Sequence, residues 1–119
     1  MENRILNIKL TPEKMEMNNN FYAGQNDINT HKIDILFEGL GEIVGKTLKI
    51  DYKKPNDVTI EQEEEITSDT GITFLIPNTA FELVGVVTLQ ISIKDTATGA
   101  KLSYRPAGFK VKETFEKTL

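Results

Sequence analysis

The stretch "GVVTLQISIKD" sets the tightest limit on what this chain can fold into. Along it Val87, Leu89, Ile91 and Ile93 alternate with Thr88, Gln90, Ser92 and Lys94. An apolar residue at every second position gives an extended strand one apolar and one polar face, whereas a helix would scatter those residues around its axis. The same period recurs in shorter segments. Leu6, Ile8 and Leu10 share a phase in "RILNIKL", Ile33, Ile35 and Phe37 in "HKIDILFE", and Leu48, Ile50 and Tyr52 in "TLKIDYK". "VTIEQ" adds a short segment through Val58 and Ile60. In "GITFLIP", Ile72, Phe74 and Ile76 alternate with Thr73 and Leu75, and Leu75 gives this strand two apolar faces, the pattern of a central strand covered on both sides. "AKLSYRPAGFKVKE" places Leu102 and Tyr104, then Phe109 and Val111, on the inward phase. Pro106 and Gly108 interrupt it, and because proline cannot donate to a ladder they predict a bulge or an edge position.

The connectors carry turn chemistry. "SDTG" and "DTATG" end in Gly71 and Gly99, each expected to take a positive φ after a type I turn, the second as a hairpin loop. "KKPND" is a turn between Lys53 and Val58. "EGLGEIVG" reads as a loop that folds Leu40, Ile43 and Val44 back onto the core. "TPEKMEMNNNFYAGQND" has no clean period and reads as an irregular excursion. In "IPNTAFELVG", Thr79 and Glu82 have the spacing of a capping box, Pro77 stops the preceding strand and Gly85 can end the turn. Phe81 and Leu83 would drop onto the core, so this stretch reads as a connection from one sheet to another. "KETFEKTL" reads as the start of a helix.

About seven strands at roughly ten-residue spacing, without internal repeats or low-complexity segments, predict an all-β fold. The expected form is an Ig-like antiparallel β-sandwich of about seven strands with one short helical turn. It forms a single domain over 1–119, with an N-terminal strand and irregular excursion over 1–26 and a helix start or linker over 112–119. Composition agrees, since 39% hydrophobic residues suffice for one core in a chain of 119 residues. No apolar run approaches the roughly 20 residues of a membrane span, and "MENRILNIKLTPEK" has no apolar leader core, so a soluble, unprocessed chain is expected. With no cysteine, stability has to come from burial and backbone pairing. A net charge of -4 and scattered basic residues argue against nucleic acid. The acidic run "EQEEE", Glu61 to Glu65, reads as a solvated strand end or loop.

Little in the chain points to catalysis. His31 is the one histidine, at the start of a strand, where a solvent-exposed or backbone-bonded role is expected. Ser68, Ser92 and Ser103 lack the surroundings of an activated nucleophile. Asp27, Asp34, Asp51 and Asp57 fall at strand edges or turns, and "QNDINTH" lacks the ligand spacing of a calcium loop. Neither an enzyme nor a cofactor or metal site is expected. A sugar-binding sandwich would stack its ligand on exposed aromatics, here Phe21, Tyr22, Tyr52, Tyr104 or Phe115. Tyr52 and Tyr104 lie in inward phases and read as core. The pair Phe21 and Tyr22 is either a staple that folds the excursion onto the body or an anchor for a partner or sugar, and it supplies the candidate contact residues.

The order of segments adds a resemblance. "NDINTHKIDILFEG", then "IVGKTLKIDYKKPND", then "VTIEQEEEITSDTGITFLIPNTAFELVGVVTLQISIKDTATGAKLSYRPAGFKV" resembles the N-terminal domain of baseplate upper proteins from tailed phages and prophages of Gram-positive bacteria. In that family an aspartate-led strand precedes a "G-x-x-v" strand and a proline turn. A glycine-led strand ending in "lP" follows, then a short turn closed by glycine, a long strand and a closing "F-x-V". The match runs from Asp27 to Val111. It implies a structural protein of the virion tail, synthesised in the host cytoplasm, that docks on the tail-tip hub, meets other tail or baseplate proteins, forms a homo-oligomer in the assembled baseplate and supports host-adsorption proteins. From charge and the lack of an apolar span, no nucleic-acid or membrane partner is expected. The alternative is a carbohydrate-binding sandwich recognising the host cell wall, which would depend on Phe21 and Tyr22.

Overall fold

The computed structural model of the chain describes residues 4–18 and 20–113. The helix start expected in the last residues, and Phe115 with it, lies outside the described residues; Lys112 is the final residue of a strand. Ten strands follow one another among the described residues: β1 (Arg4–Leu10), β2 (Met15–Met17), β3 (Tyr22–Gly24), β4 (His31–Phe37), β5 (Thr47–Lys53), β6 (Thr59–Glu65), β7 (Gly71–Leu75), β8 (Gly85–Lys94), β9 (Lys101–Ser103) and β10 (Ala107–Lys112). A single 3₁₀ turn, Asn78–Phe81, separates β7 from β8. The strands make two sheets. One has the order β2-β1-β4-β7, and the other β3-β10-β8-β5-β6 with β9 also paired to β8.

The expected sandwich is present, and the alternating residues build its interior. Leu6, Ile8 and Leu10 of β1 and Ile33, Ile35 and Phe37 of β4 face Leu48, Ile50 and Tyr52 of β5 and Val87, Leu89, Ile91 and Ile93 of β8 in one buried cluster. Two pairings depart from the antiparallel expectation. β1 runs parallel to β4, from Arg4↔His31 to Leu10↔Phe37, and β3 runs parallel to β10. The first is reached through the excursion after β1. It is not irregular: its first part turns back as β2, pairing Ile8↔Met17 and Leu10↔Met15, and its second part crosses to the other sheet as β3 before the chain returns as β4. Parallel neighbours in a sheet need a crossover of this kind. Met15 and Met17 pack against the core from this segment.

The interruption at Pro106 is a bulge. β9 pairs with β8 at Ser103↔Ser92 and β10 resumes at Ala107↔Leu89, so Tyr104, Arg105 and Pro106 stand opposite Gln90 and Ile91. The extra residue changes the strand's phase. Tyr104 before the change and Phe109 and Val111 after it are all buried, whereas Leu102, expected inward, stands opposite Ile93 but is 38% exposed because the short β9 has only β8 as a neighbour. The Gln90 side-chain amide donates to the Tyr104 carbonyl, which the bulge removes from the ladder.

Three other expectations change at the rims. Leu75 is 44% exposed because β7 is an edge strand with one covered face, so two apolar faces did not mean a central position. "EQEEE" is the body of β6, the edge of the larger sheet, with Glu61, Glu63 and Glu65 exposed; pairing with β5 overrides the weak strand preference of glutamate. Gly71 does not take a positive φ. A Cβ there would stand 2.7 Å from the Ile35 carbonyl, so the close approach of β7 to β4 requires glycine. Gly99 does take φ +77°, in the β8–β9 hairpin. In the "EGLGEIVG" loop Ile43 is buried and Val44 exposed, and Asp69 Oδ1 holds both amides, at 2.7 and 3.0 Å.

The stretch after β7 crosses between sheets as expected but by other contacts. The 3₁₀ turn begins at Pro77 with no side-chain cap. Glu82 turns its carboxylate to Lys54 Nζ at 2.7 Å instead of reaching back to Thr79. Gly85, at φ +138°, opens β8, and a Cβ there would stand 2.9 Å from Pro55 Cγ, so it makes room for the β5–β6 turn. Phe81 is fully buried and Leu83 half-buried.

Polar clasps close the seam between the sheets. Tyr52 OH donates to Gln62 Oε1 at 2.6 Å, and Gln62 Nε2 donates to the Leu75 carbonyl of the other sheet at 3.2 Å. Tyr104 OH donates to the Thr11 carbonyl at 2.9 Å. Burial, with the nearby Glu64 carboxylate second, holds the Tyr52 phenol well above the ordinary tyrosine value. Two outcomes follow. Phe74→Asp should lower stability by about 3 kcal/mol or more in urea denaturation, because it places a carboxylate in the apolar interior. The raised Tyr52 value makes the folded state hold its proton more tightly, a stabilisation complete below about pH 10 and lost as pH rises beyond it. The urea midpoint should therefore fall above pH 10, and less steeply in Tyr52→Phe.

Candidate functional site

The candidate contact pair falls at one end of the sandwich, where β3 meets the starts of β1 and β4. Phe21 is buried at 8% exposure and folds the crossover onto the core. Its ring meets Phe109 edge-on at 5.2 Å and His31 edge-on at 5.7 Å. His31 in turn meets Phe81 edge-on at 5.2 Å, and Phe81 lies 6.2 Å from Phe109. Four rings from four parts of the chain thus interlock, three of their contacts in the edge-to-face geometry that aromatic quadrupoles favour.

His31 is buried at 3% exposure, which corrects the expectation of an exposed or backbone-bonded residue. The reason lies in its phase: it stands two residues before Ile33 on β4 and therefore points inward with Ile33, Ile35 and Phe37. Its Nε2 lies 2.5 Å from Asp27 Oδ2. Nδ1 has no partner among the described residues, so the ring is held through Nε2 alone. Asp27 Oδ2 also accepts the Gly24 amide at 2.7 Å and stands 3.8 Å from Arg4 Nη1. One carboxylate therefore ties β4, β3 and β1 together, across both sheets. The loop around it is closed by backbone bonds, Asn26 N to the Phe81 carbonyl at 2.7 Å and Gln25 N to the Lys112 carbonyl at 2.8 Å.

Tyr22 lies on the outer side of this cluster. The Arg4 guanidinium stands 4.0 Å from its ring centroid and Lys112 Nζ 4.1 Å, so two cations flank the ring. Arg4 also donates to the Tyr22 hydroxyl at 3.2 Å and to its carbonyl at 3.4 Å. The free edge of β3 is thereby covered by side chains, Arg4 on the Tyr22 carbonyl and Asp27 on the Gly24 amide. Beside it Val84 and Val86 are exposed next to Lys110 and Lys112.

The remaining candidates are dispersed. Asp34 accepts from Thr73 Oγ1 at 3.0 Å on the outside of the smaller sheet. Asp51 lies 3.9 Å from Lys49, and Asp57, at φ +67°, 3.6 Å from Lys53. Ser68 Oγ is 2.8 Å from Thr70 Oγ1, while Ser92 and Ser103 face each other across β8 and β9 in the other sheet from His31. Tyr52 and Tyr104 are core residues with bonded hydroxyls. Among the described residues no group of three or more His, Asp or Glu side chains could hold a metal ion, and no helix is long and apolar enough to cross a membrane. Sequence reasoning missed the roles of Asp27, Arg4 and Lys112. Only the phase of His31 could have signalled a buried partner, because Asp27 precedes it by four residues in a loop whose path local sequence does not specify.

Asp27→Asn and His31→Phe should each destabilise the fold, and a double-mutant cycle from urea melts should return a coupling of about 1–2 kcal/mol. Additivity would mean that the contact contributes nothing.

No protein-family model matches the chain, and no relative is found among curated proteins. Among solved structures it is similar to one described as the N-terminal domain of phage TP901-1 ORF48, with a TM-score of 0.60 and 18% sequence identity, over 91% of this chain and 98% of that one. The chain shares that domain's fold across nearly the whole length of both.

Proposed function

We propose that this chain is a structural domain of a phage or prophage tail tip, part of a baseplate, whose work is assembly rather than catalysis. The observation that carries the reading is the near end-to-end likeness to the N-terminal domain of phage TP901-1 ORF48. The order of strand motifs from Asp27 to Val111, which resembles baseplate upper proteins, supports it independently. In this role the domain docks on the central hub of the tail, stands beside other copies of itself, and carries adsorption proteins outward, within the virion. A rigid sandwich suits such work, since its interior is closed by inter-sheet clasps and its surface is left for neighbours.

A wall-sugar role would use the same end of the molecule. Phe21 is buried, and the ring of Tyr22 is flanked by Arg4 and Lys112, so a stacking sugar would first have to displace a cation. That geometry favours the assembly reading. The test is to mix the purified chain with the tail-tip hub protein encoded beside it and measure binding by calorimetry or co-elution. Stable binding is expected, and indifference to every neighbouring tail protein would remove the reading. On an array of cell-wall glycans, binding lost in Tyr22→Ala would establish the sugar role in its place.

A further inference from the structure

The larger sheet is electrically lopsided. At one margin β6 exposes Glu61, Glu63 and Glu65 on the outer face. Near the other, one strand in from the β3 edge, β10 exposes Lys110 and Lys112 on the same face, with Arg4 beyond them over Tyr22. Between the two lie β5 and β8, so the margins are three strand spacings apart, about 14 Å. That exceeds the Debye length of about 8 Å at physiological salt, so the two margins barely neutralise each other within one molecule. Glu61 lies 3.4 Å from Lys49, but Glu63, Glu65, Lys110 and Lys112 take part in no ion pair among the described residues.

The two margins also match in spacing. Glu61, Glu63 and Glu65 occupy alternate residues of an extended strand, and so do Lys110 and Lys112. Alternate side chains on a strand repeat about every 6.8 Å, so an acidic strand laid along a basic one can bring each lysine to a glutamate. The edges differ in what they allow. Glutamates along β6 deter indiscriminate strand pairing while leaving the edge open to a basic partner. The β3 edge is closed to backbone pairing by Arg4 and Asp27, so contact there is made by side chains.

We propose that the β6 margin of one copy binds the β10–β3 margin of the next, a head-to-tail contact between copies of this chain that rests on the assembly reading for its setting. The occupant is a second copy because the complementary acidic strand, of matching spacing, is this chain's own β6. Since the two margins are different surfaces, the contact is heterologous and propagates beyond a pair, into a ring where the rotation closes. Each exposed ion pair is weak, so the contact is a low-affinity one that a shared hub strengthens by raising the local concentration.

The experiment is sedimentation velocity on the purified chain alone, at millimolar concentration and about 0.05 M salt, where the Debye length is longer than at physiological strength. The wild type should form species beyond the dimer that dissociate at about 0.5 M salt. Glu63→Lys with Glu65→Lys, and separately Lys110→Glu with Lys112→Glu, should each be monomeric, and an equimolar mixture of the two variants should associate again. Glu13→Lys with Glu42→Lys changes net charge by the same amount as the first pair and should leave association intact; thermal melts confirm that every variant is folded. A monomeric wild type, association that stops at a dimer, or a mixture that fails to associate would each overturn the proposal. Because no hub protein is present, its failure leaves hub binding to be decided separately.

Discussion

Everything in this molecule depends on burying one face of each sheet against the other. Neither sheet can hide its apolar face alone, and the alternate residues of β1, β4, β5 and β8 become stable only as a shared interior. Full burial of a Leu, Ile or Val is worth about 1.5–3 kcal/mol, so the aligned rows Leu6, Ile33 and Leu48, Ile50, Leu89, Ile91 outweigh any single polar contact. The polar contacts have a different task. Tyr52–Gln62–Leu75, Tyr104–Thr11 and His31–Asp27–Gly24 lie where the seam between the sheets would otherwise leave polar atoms without partners, and they set how the sheets meet.

Sharing one interior obliges the chain to supply both sheets, and it changes sheet between β2 and β3, β3 and β4, β4 and β5, β6 and β7, and β7 and β8. Pro77 and the 3₁₀ turn carry the last of them with Phe81 as its buried foot, while Phe21 does the same for the crossover through β3. These two feet meet His31 and Phe109 in one ring cluster, so the end of the sandwich that holds the candidate residues is also where two crossovers are pinned. Neighbouring residues thereby part company: Phe21 faces the core, and Tyr22 faces outward with its cations.

The margins of the larger sheet are set by the same economy of burial. β6 and β3 end the larger sheet, and the outward-facing alternate positions of β6, and of β10 one strand in from β3, carry charge without desolvating it. An acidic edge and a basic edge on one rigid body give a domain that has direction as well as shape. In the assembly role proposed above, direction is the property that would repeat from copy to copy.

Much of this was legible in the amino-acid order. The phases of Leu6, Ile33, Ile50, Phe74 and Leu89, the hairpins at Asp57 and Gly99, the bulge near Pro106 and the crossover through Phe81 all rest on interactions within a few residues, which local sequence encodes. What tertiary structure alone decided was which strands sit at an edge and which partner each meets. Leu75 and "EQEEE" have side-chain patterns compatible with several positions in a sheet, and β2 and β3 are strands only because β1 and β10 offer them ladders. His31 was misread for the same reason. Its inward phase could be read from Ile33, but the carboxylate that meets it and the rings that enclose it come from β3, the crossover and β10, brought together by folding across distances the sequence does not mark. Alternation, a two-residue property, specifies which face is buried; adjacency between distant strands depends on how all the faces are covered at once.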